Sequence, residues 1–177
     1  MRLRHLLLIA AVLFCPAISH AVTCSVSNVQ PINLGSVNPL SATGATSSMT
    51  FNYTCTKELG DALAGINLCF NIGASAVSGQ VTPRNMSLIG TPARTLAYQL
   101  YQDSGRTKVW GSQYQSGTTF PMVQLNLLNL TPVTGSLTVS AQIVTPQTAA
   151  VPGNYQDNYT TATALVTLNP GLLFPPT

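Results

Sequence analysis

The stretch Leu96–Tyr101 constrains the fold of this chain most, because its side chains alternate strictly between two sets. A β-strand places successive side chains on opposite faces, so the alternation predicts a half-buried strand with one core face. The residues Asp103–Gly105 then supply turn chemistry, since Asp bonds its own backbone and Gly accepts a positive φ. Thr107–Trp110, which ends in the only tryptophan, is predicted to be the second strand of a hairpin with a structural role. The core face of the first strand would carry Leu96, Tyr98 and Leu100, and the other face Ala97, Gln99 and Tyr101.

Short strand-like segments recur along the chain between turn residues. Only 6% of all residues are charged, so the Glu, Lys and Arg side chains typical of the outer face of amphipathic helices are missing. Strands of this length and spacing indicate an all-β sandwich or barrel, and 177 residues suffice for one such domain. Between these segments, Gly73–Thr91 is polar and rich in glycine. The predicted strands are the segment around Cys24, Ser48–Cys55, Ile66–Ile72, Leu96–Tyr101, Phe120–Leu130, Leu137–Val144 and Tyr159–Leu168.

The N-terminus has the pattern of a secretory signal peptide. Arg2 and Arg4 form a basic start, Leu6–Phe14 an apolar stretch, and Ser19–Ala21 a small-x-small cleavage site. We expect cleavage after Ala21 and export of the mature chain. The predicted parts of the chain are a signal peptide over 1–21, a β-sandwich domain over 22–168 and a Pro-rich tail over 169–177.

The composition of the expected mature chain argues against catalysis and nucleic-acid binding. Removing Arg2 and Arg4 from the seven basic residues leaves five against four acidic ones, and a net charge near +1 is too weak to attract nucleic acid. Both histidines lie in the predicted signal peptide, which removes His-activated nucleophiles and His-ligated metals. We expect no catalytic residue, no cofactor and no metal site. The acids lie beside turn residues and are expected to be solvated; they are Glu58, Asp61, Asp103 and Asp157.

Three cysteines remain in the mature chain, and the alternation of their strands indicates which two pair. Cys24 shares a face with Val22 and Val26, and Cys55 shares a face with the apolar residues of its own strand. Cys69 lies opposite the apolar face of its strand and is predicted to point outward, either free or paired elsewhere. Because an exported protein meets an oxidising compartment, we predict a Cys24–Cys55 disulfide. In the chain-entropy model this bond contributes about 3–4 kcal/mol.

Motifs spread over nearly the whole mature chain resemble, in order, those of the spore coat protein U domain family. The first are Cys24, Leu34-Gly35, Asn38-Pro39-Leu40 and Tyr53-Thr-Cys55. The central ones are Arg84-Asn85-Met86, Leu96-x-Tyr98-x-Leu100-Tyr101-x-Asp103 and Val109-Trp110-Gly111, and the last is Val151–Asp157. The block from Leu96 to Gly111 is the most specific. We interpret the landmark positions as structural; they are Arg84, Met86, Tyr98, Leu100, Tyr101, Asp103, Trp110, Gly111, Gly153 and Tyr155.

The resemblance implies a secreted bacterial surface protein, with passage through the periplasm and a final location on the cell surface, in a pilus or outside the cell. The family includes subunits of archaic, Csu-type chaperone–usher pili, which serve in attachment and biofilm formation. Its fold is an immunoglobulin-like sandwich that lacks one strand, so an apolar groove stays open. The implied partners are a periplasmic chaperone that fills the groove first, an outer-membrane usher, and a neighbouring pilus subunit whose donor strand replaces the chaperone. The implied groove residues lie on the first and last strands and are Val22, Cys24, Val26, Leu165, Val166 and Leu168.

Two features depart from the family's rod subunits. If cleavage falls after Ala21, only two residues precede Cys24, so the chain would accept a donor strand but offer none. This predicts a tip or terminal subunit, or a member that works outside a pilus. Pro175 and Pro176 cannot donate ladder hydrogen bonds, which excludes a long continuing strand. The alternatives are that Leu172–Phe174 folds back into the groove or docks on a partner, and that the tail is disordered. The alternative functions are a secreted coat or matrix protein outside a pilus and a carbohydrate-binding module or hydrolase.

Overall fold

The computed structural model describes residues 22–59, 65–127 and 130–157, together with the backbone of 159–160 and 166–169. The predicted signal peptide and residues 170–177 of the predicted tail lie outside the described residues. No helix within the described ranges is long and apolar enough to cross a membrane. The strands in these ranges are β1 Thr23–Ser27, β2 Thr46–Thr56, β3 Gly65–Phe70, β4 Ala74–Ser75, β5 Arg84–Leu88, β6 Thr91–Tyr101, β7 Met122–Asn126, β8 Val133–Ile143, β9 Tyr155–Gln156, β10 Tyr159–Thr160 and β11 Val166–Asn169.

The strands form an all-β, immunoglobulin-like sandwich, as the sequence predicts. The larger sheet has six antiparallel strands in the order β1-β2-β8-β6-β5-β9. A three-stranded antiparallel sheet has the order β11-β3-β7, and β10 pairs separately with β4. Buried residues of both larger sheets belong to one hydrophobic cluster, which is the core of the sandwich.

The pairing of β2 with β8 in the larger sheet runs over ten residue pairs. The alternation predicted for β2 is present, because Phe51, Tyr53 and Cys55 are buried while the residues between them are half-buried. Tyr53 lies opposite Gly135 on β8. A Cβ atom at Gly135 would lie 2.2 Å from the Tyr53 hydroxyl oxygen, so a glycine is needed there for the ring to cross the neighbouring strand.

Aromatic rings join the two sheets across the core. The ring centroid of Phe70 on β3 lies 5.7 Å from that of Phe51 and 5.3 Å from that of Tyr53, both on β2. Trp110 packs against Phe51 at 6.1 Å and donates its indole N–H to the Phe70 carbonyl oxygen at 2.9 Å. Tilted ring pairs at these distances add favourable electrostatics to the burial of apolar area. The predicted structural role of the tryptophan thus corresponds to a fully buried side chain.

The first half of the predicted hairpin is present as predicted. Leu96, Tyr98 and Leu100 are buried on β6, which runs on to Tyr101. In the following turn, the carboxylate of Asp103 accepts hydrogen bonds from the backbone N–H groups of Thr107 and Lys108. These two backbone donors, in that order, lower the pKa of Asp103 below its ordinary value. The turn is therefore fixed by the aspartate side chain, as the sequence indicates.

The second strand of the predicted hairpin is not formed. A single bridge joins Tyr101 to Val109, and no strand is assigned over Thr107–Trp110. The physical reason lies one residue further on. The Trp110 N–H still donates to the Leu100 carbonyl oxygen of β6 at 2.9 Å, but the Gly111 carbonyl oxygen accepts from the Ile72 N–H at 3.0 Å, so from this residue on the chain pairs with the end of β3. The chain passes from one sheet to the other at this point, and the Trp110 side chain is buried in the core between them.

Cys69 is buried, with 1% of its surface exposed, and does not point outward as predicted. It lies on β3, the middle strand of its sheet, and the loop after Trp110 lies against Asn71, two residues further on and on the face that the sequence pattern assigns to solvent. On this loop, the Gln113 N–H donates to the side-chain oxygen of buried Asn71 at 2.8 Å. When both faces of a strand are buried, polar and apolar alternation no longer indicates which side chains face solvent.

Candidate functional site

The first strand of the larger sheet ends early and leaves part of its neighbour uncovered. β1 pairs with β2 only as far as Ser27 opposite Asn52. Asn28 then takes a φ of 60°, a left-handed conformation that asparagine tolerates, and Pro31 has no N–H to donate to a ladder. Within the described ranges, residues 46–51 of β2 therefore have no strand partner on the side away from β8.

An apolar groove of about 270 Å³ lies beside this uncovered edge. One wall is the segment Val29–Ile32, which continues from β1, and the other is Asn71–Gly73, which continues from β3. Phe51 and Val139 form the floor and are fully buried, whereas Met49 is half-buried. Val29 is 50% exposed, so apolar surface of the groove faces solvent. We refer to these residues as the groove.

The second sheet also ends in an open edge near the groove. β11 pairs with β3, with Val166 opposite Phe70, so its start lies next to the point where the wall Asn71–Gly73 begins. Among the described strands β3 is the one partner of β11. Leu168 lies further along β11, and Leu165 lies outside the described residues. The contact of these last-strand residues with a partner strand stays a prediction.

The predicted groove residues of the first strand lie beside the groove without lining it. Val22 is buried in the core, and Cys24 and Val26 are half-buried on β1. The lining is supplied instead by the residues that follow β1 and by the uncovered part of β2. Sequence reasoning missed them because it identified the apolar face of β2 but not the point at which its neighbour leaves it. Pro31 is the signal that marks this point.

The predicted disulfide between Cys24 and Cys55 is confirmed. The two residues face each other in the ladder of β1 and β2, with their Cα atoms 4.1 Å apart. The bond closes a sequence separation of 31 residues. Because β1 leads directly into the wall Val29–Ile32, the bond also fixes the position from which the groove wall begins.

Arg84 forms a buried polar centre next to the groove wall Asn71–Gly73, because Ile72 and Gly73 of this wall supply two of its acceptors. Its side chain is fully buried, and its guanidinium donates to backbone carbonyl oxygens at distances of 2.8 to 3.2 Å and to the Gln99 side-chain oxygen at 3.1 Å. Charged donors make the stronger class of hydrogen bonds, and several are needed to offset the burial of a cation. We call Arg84 and its acceptors the Arg84 cluster; the carbonyl acceptors belong to Ile72, Gly73, Val81 and Trp110.

The other landmark positions also make contacts inside the fold. A Cβ atom at Gly111 would lie 2.4 Å from the Thr118 side chain, and one at Gly153 would lie 2.3 Å from the Leu88 side chain, so both sites are closely packed. The Tyr155 hydroxyl donates to the Val151 carbonyl oxygen at 2.7 Å. Met86 packs against the core from a half-buried position. These contacts agree with the structural interpretation of the landmarks.

The acidic residues that the structure describes differ in exposure and in hydrogen bonding, whereas the sequence predicts that all of them are solvated. Glu58 is exposed, and Asp61 lies outside the described residues. Asp157 is half-buried and accepts hydrogen bonds from the Tyr98 hydroxyl at 2.6 Å and the Ala76 N–H at 3.1 Å. The expectation of a solvated Asp157 is therefore wrong, because a buried tyrosine on β6 reaches it. In the part of the chain that the structure describes, no three His, Cys, Asp or Glu side chains come together.

Comparisons with known proteins relate the chain to one family. A family model described as "Spore Coat Protein U domain" matches residues 10–162. No curated protein matches significantly. A chain from a solved structure described as "Chaperone-tip adhesin complex is vital for synergistic activation of CFA/I fimbriae biogenesis" aligns with a TM-score of 0.42 at 12% identity. The alignment covers 84% of this chain and 42% of that chain, so this chain spans less than half of that relative.

Proposed function

Because the chain belongs to the spore coat protein U domain family, we propose that it is a subunit of a bacterial surface fibre, completed by a strand from another chain. In this proposal a periplasmic chaperone occupies the groove during export. At an outer-membrane usher, the donor strand of a neighbouring subunit takes the place of the chaperone. The role of the chain is structural and adhesive rather than catalytic.

The observation that carries the proposal is the apolar groove between two open sheet edges. The uncovered part of β2 and the outer side of β11 both present backbone N–H and C=O groups without strand partners in the described ranges. Unpaired edges beside exposed apolar surface promote aggregation unless another element covers them. An added strand would pair with such backbone groups and place every second side chain in the groove.

The expected energetics favour a strand over a small ligand. Each aliphatic side chain of the groove that is newly covered contributes on the order of 1 kcal/mol. Val29, Ile32 and Met49 remain partly exposed and supply this term. Each new backbone hydrogen bond contributes about 0.5–1.5 kcal/mol, and a strand forms several. A small apolar ligand would gain the first term but leave the edges open.

Export, surface location, attachment and biofilm formation belong to the same proposal and are supported by the family. The terminal position in the fibre depends on cleavage after Ala21, which lies outside the described residues. Sequencing the N-terminus of the mature protein tests this position. A start well before residue 22 would leave a segment that is long enough to act as a donor strand.

The experiment is co-expression of the chain with a candidate periplasmic chaperone, followed by purification of the complex. Ile32→Asp places a charge on the groove wall and is expected to abolish the complex, because a carboxylate there would be buried under the partner strand. Leu40→Asp is the matched control, since Leu40 is 61% exposed and does not line the groove. This control is expected to leave the complex intact.

Three readouts decide the outcome: soluble yield, mass of the complex and resistance to protease. The proposal predicts that the unpartnered chain is protease-sensitive or aggregates and that the chaperone protects it. A chain that is soluble, monomeric and protease-resistant without any partner would contradict the proposal. That result would favour a secreted coat or matrix protein that works outside a pilus.

A further inference from the structure

A polar depression of about 470 Å³ lies beside the Arg84 cluster, with which it shares Val81, and it has no lining residue in common with the groove. One wall is Gln80–Thr82, and the other is the loop Tyr114–Thr118. The depression is shallow and open to solvent. We refer to it as the polar depression.

The same buried cation bonds to segments on both sides of the polar depression. Arg84 donates to the Val81 carbonyl oxygen at 3.2 Å, within the first wall. It also donates to the Trp110 carbonyl oxygen at 2.8 Å, at the root of the loop that forms the second wall. One side chain therefore bonds to the first wall and to the chain four residues before the second wall, which restricts the relative movement of the two segments. Such a restriction reduces the conformational entropy that binding must overcome.

The second wall has its own internal bonds. The Thr118 oxygen lies 2.9 Å from the carbonyl oxygens of both Ser112 and Gln115, which share its single O–H as acceptors, and it accepts from the Ser112 N–H at 3.1 Å. The Tyr114 N–H donates to the Ser112 hydroxyl at 3.2 Å. The loop thus presents its outward side chains from a bonded frame.

The polar side chains that line the polar depression carry phenol, amide and hydroxyl groups. Tyr114 is 52% exposed, and no charged side chain lines the polar depression. Gln115 adds a second, independent observation: its side-chain oxygen is buried and has no hydrogen-bond partner within the described residues. Buried acceptors are nearly always satisfied in folded proteins, so an unpaired one indicates a missing donor. The Gln115 side-chain oxygen therefore loses no hydrogen bond to the described residues when the side chain turns towards a donor on a ligand.

From these features we propose that the polar depression binds a neutral carbohydrate. A sugar ring has an apolar face that packs on the exposed Tyr114 ring, and hydroxyl groups that donate to Gln115 and exchange hydrogen bonds with Gln80, Thr82 and Ser116. The missing charge in the lining disfavours anionic ligands, because such ligands lose hydration without gaining a cationic partner. The site is independent of the groove, so it adds a binding activity to the proposed fibre subunit.

The test is titration of the mature protein, as it purifies alone or with its chaperone, against glucose, galactose, mannose and N-acetylglucosamine. Two-dimensional amide spectra follow the binding, with glucuronic acid as a charged comparison. The proposal predicts saturable shifts of the amides in 80–82 and 112–118 with at least one neutral sugar. Glucuronic acid is expected to bind more weakly than glucose.

Variants of the exposed tyrosine separate ring stacking from folding. Tyr114→Ala is expected to weaken the sugar affinity about tenfold, and Tyr114→Phe, which keeps the ring, to change it by less than about threefold. Gln115→Ala is expected to weaken binding, and Leu40→Ala, outside the polar depression, to leave it unchanged. Unchanged core amide spectra establish that each variant is folded.

The proposal is overturned if no neutral sugar shifts these amides at millimolar concentration, or if Tyr114→Ala binds as tightly as the wild type. It is also overturned if the shifts centre on the groove. Loss of chaperone binding in Ile32→Asp does not bear on this result, because Ile32 does not line the polar depression. The two proposals can therefore fail separately.

Discussion

The Arg84 cluster and the groove lie in the same sandwich but are completed in opposite ways. At the Arg84 cluster a buried cation donates to five groups from four segments of the chain, and the region is closed by the chain itself. At the groove the side chains are apolar, Val29 remains half exposed, and two strand edges lack partners in the described ranges. We therefore expect the Arg84 cluster to carry stability, and the groove to carry the partner binding of the proposed function.

This difference has a physical cause. A buried guanidinium is tolerated only when its donors are used, so the Arg84 cluster depends on every segment that supplies an acceptor. An apolar groove has no such requirement and accepts any strand with suitable alternate side chains. The two regions meet at Ile72 and Gly73, whose carbonyl oxygens accept from Arg84 and which also line the groove. Variants of groove residues outside this pair should therefore lose partner binding, whereas variants of Arg84 should lose stability first and disturb the groove wall as a consequence.

The largest effect on stability is expected for Arg84→Met. The variant leaves buried carbonyl oxygens without donors, and the expected loss of unfolding free energy is about 3–5 kcal/mol, enough to prevent folding of a marginal domain. Urea denaturation and soluble yield measure it. The matched control is Arg94→Met, because Arg94 is exposed on β6, and its effect is expected to stay within about 0.5 kcal/mol. A stable Arg84→Met variant would remove the contrast between the two regions.

Removal of the disulfide is expected to affect both regions. The double variant Cys24→Ala/Cys55→Ala should lose about 3–4 kcal/mol of stability, since the bond no longer restricts the unfolded chain. It should also weaken chaperone binding, because β1 leads into the groove wall. The control is a reductant, which should lower the melting temperature of the wild type to that of the double variant and leave the double variant unchanged. Equal melting temperatures of oxidised wild type and double variant would contradict the prediction.

The sequence predicts those parts of the fold that depend on local pattern. The alternation in β2 and in the second half of β6 gives the correct core faces, and the shared inward direction of Cys24 and Cys55 gives the correct pair. These features need only the two-residue period of a strand. The fold class follows from the same pattern together with the low charge content.

The parts that sequence reasoning did not give depend on contacts between distant segments. Cys69 is buried on a face against which a loop about forty residues later lies, and Asp157 is held by Tyr98 from 59 residues away. The sequence does not reveal β5, which lies in the polar stretch Gly73–Thr91, because its residue Arg84 is polar yet buried. The groove residues were expected on the first and last strands; one wall of the groove begins just beyond the first strand, at Val29, and the part of the last strand stays a prediction.

A smaller effect on stability is expected for Tyr98→Phe. The variant removes the hydroxyl that donates to Asp157 at 2.6 Å and so frees the segment that leads to β10. A hydrogen bond to a charged group contributes about 1.5–3 kcal/mol, and we expect a loss near the lower end because Asp157 keeps part of its exposure. Thermal unfolding measures it. Tyr114→Phe is the control, since Tyr114 is exposed; an equal loss in both variants would contradict the role of the Asp157 contact.

The smallest effect is expected for Asp103→Asn at the turn after β6. Backbone donors at Thr107 and Lys108 lower the pKa of Asp103 below its ordinary value of 3.8. Because the folded pKa is the lower one, the charged form stabilises the fold at pH values above 3.8, and this contribution disappears as the pH falls through the folded pKa. The wild type should therefore lose its small advantage over the variant on acidification. A difference in melting temperature that does not change with pH would contradict this account.

Hydrogen exchange with and without the chaperone tests the central claim most directly, because it compares the two regions in one experiment. The account predicts that amides of Val29–Ile32 and β11 exchange rapidly in the unpartnered chain and become protected in the complex. Amides of Leu96–Tyr101, beside the Arg84 cluster, should be protected in both states. Equal protection of all three segments without a partner, unchanged when the chaperone is added, would contradict the claim that the groove is completed by another chain.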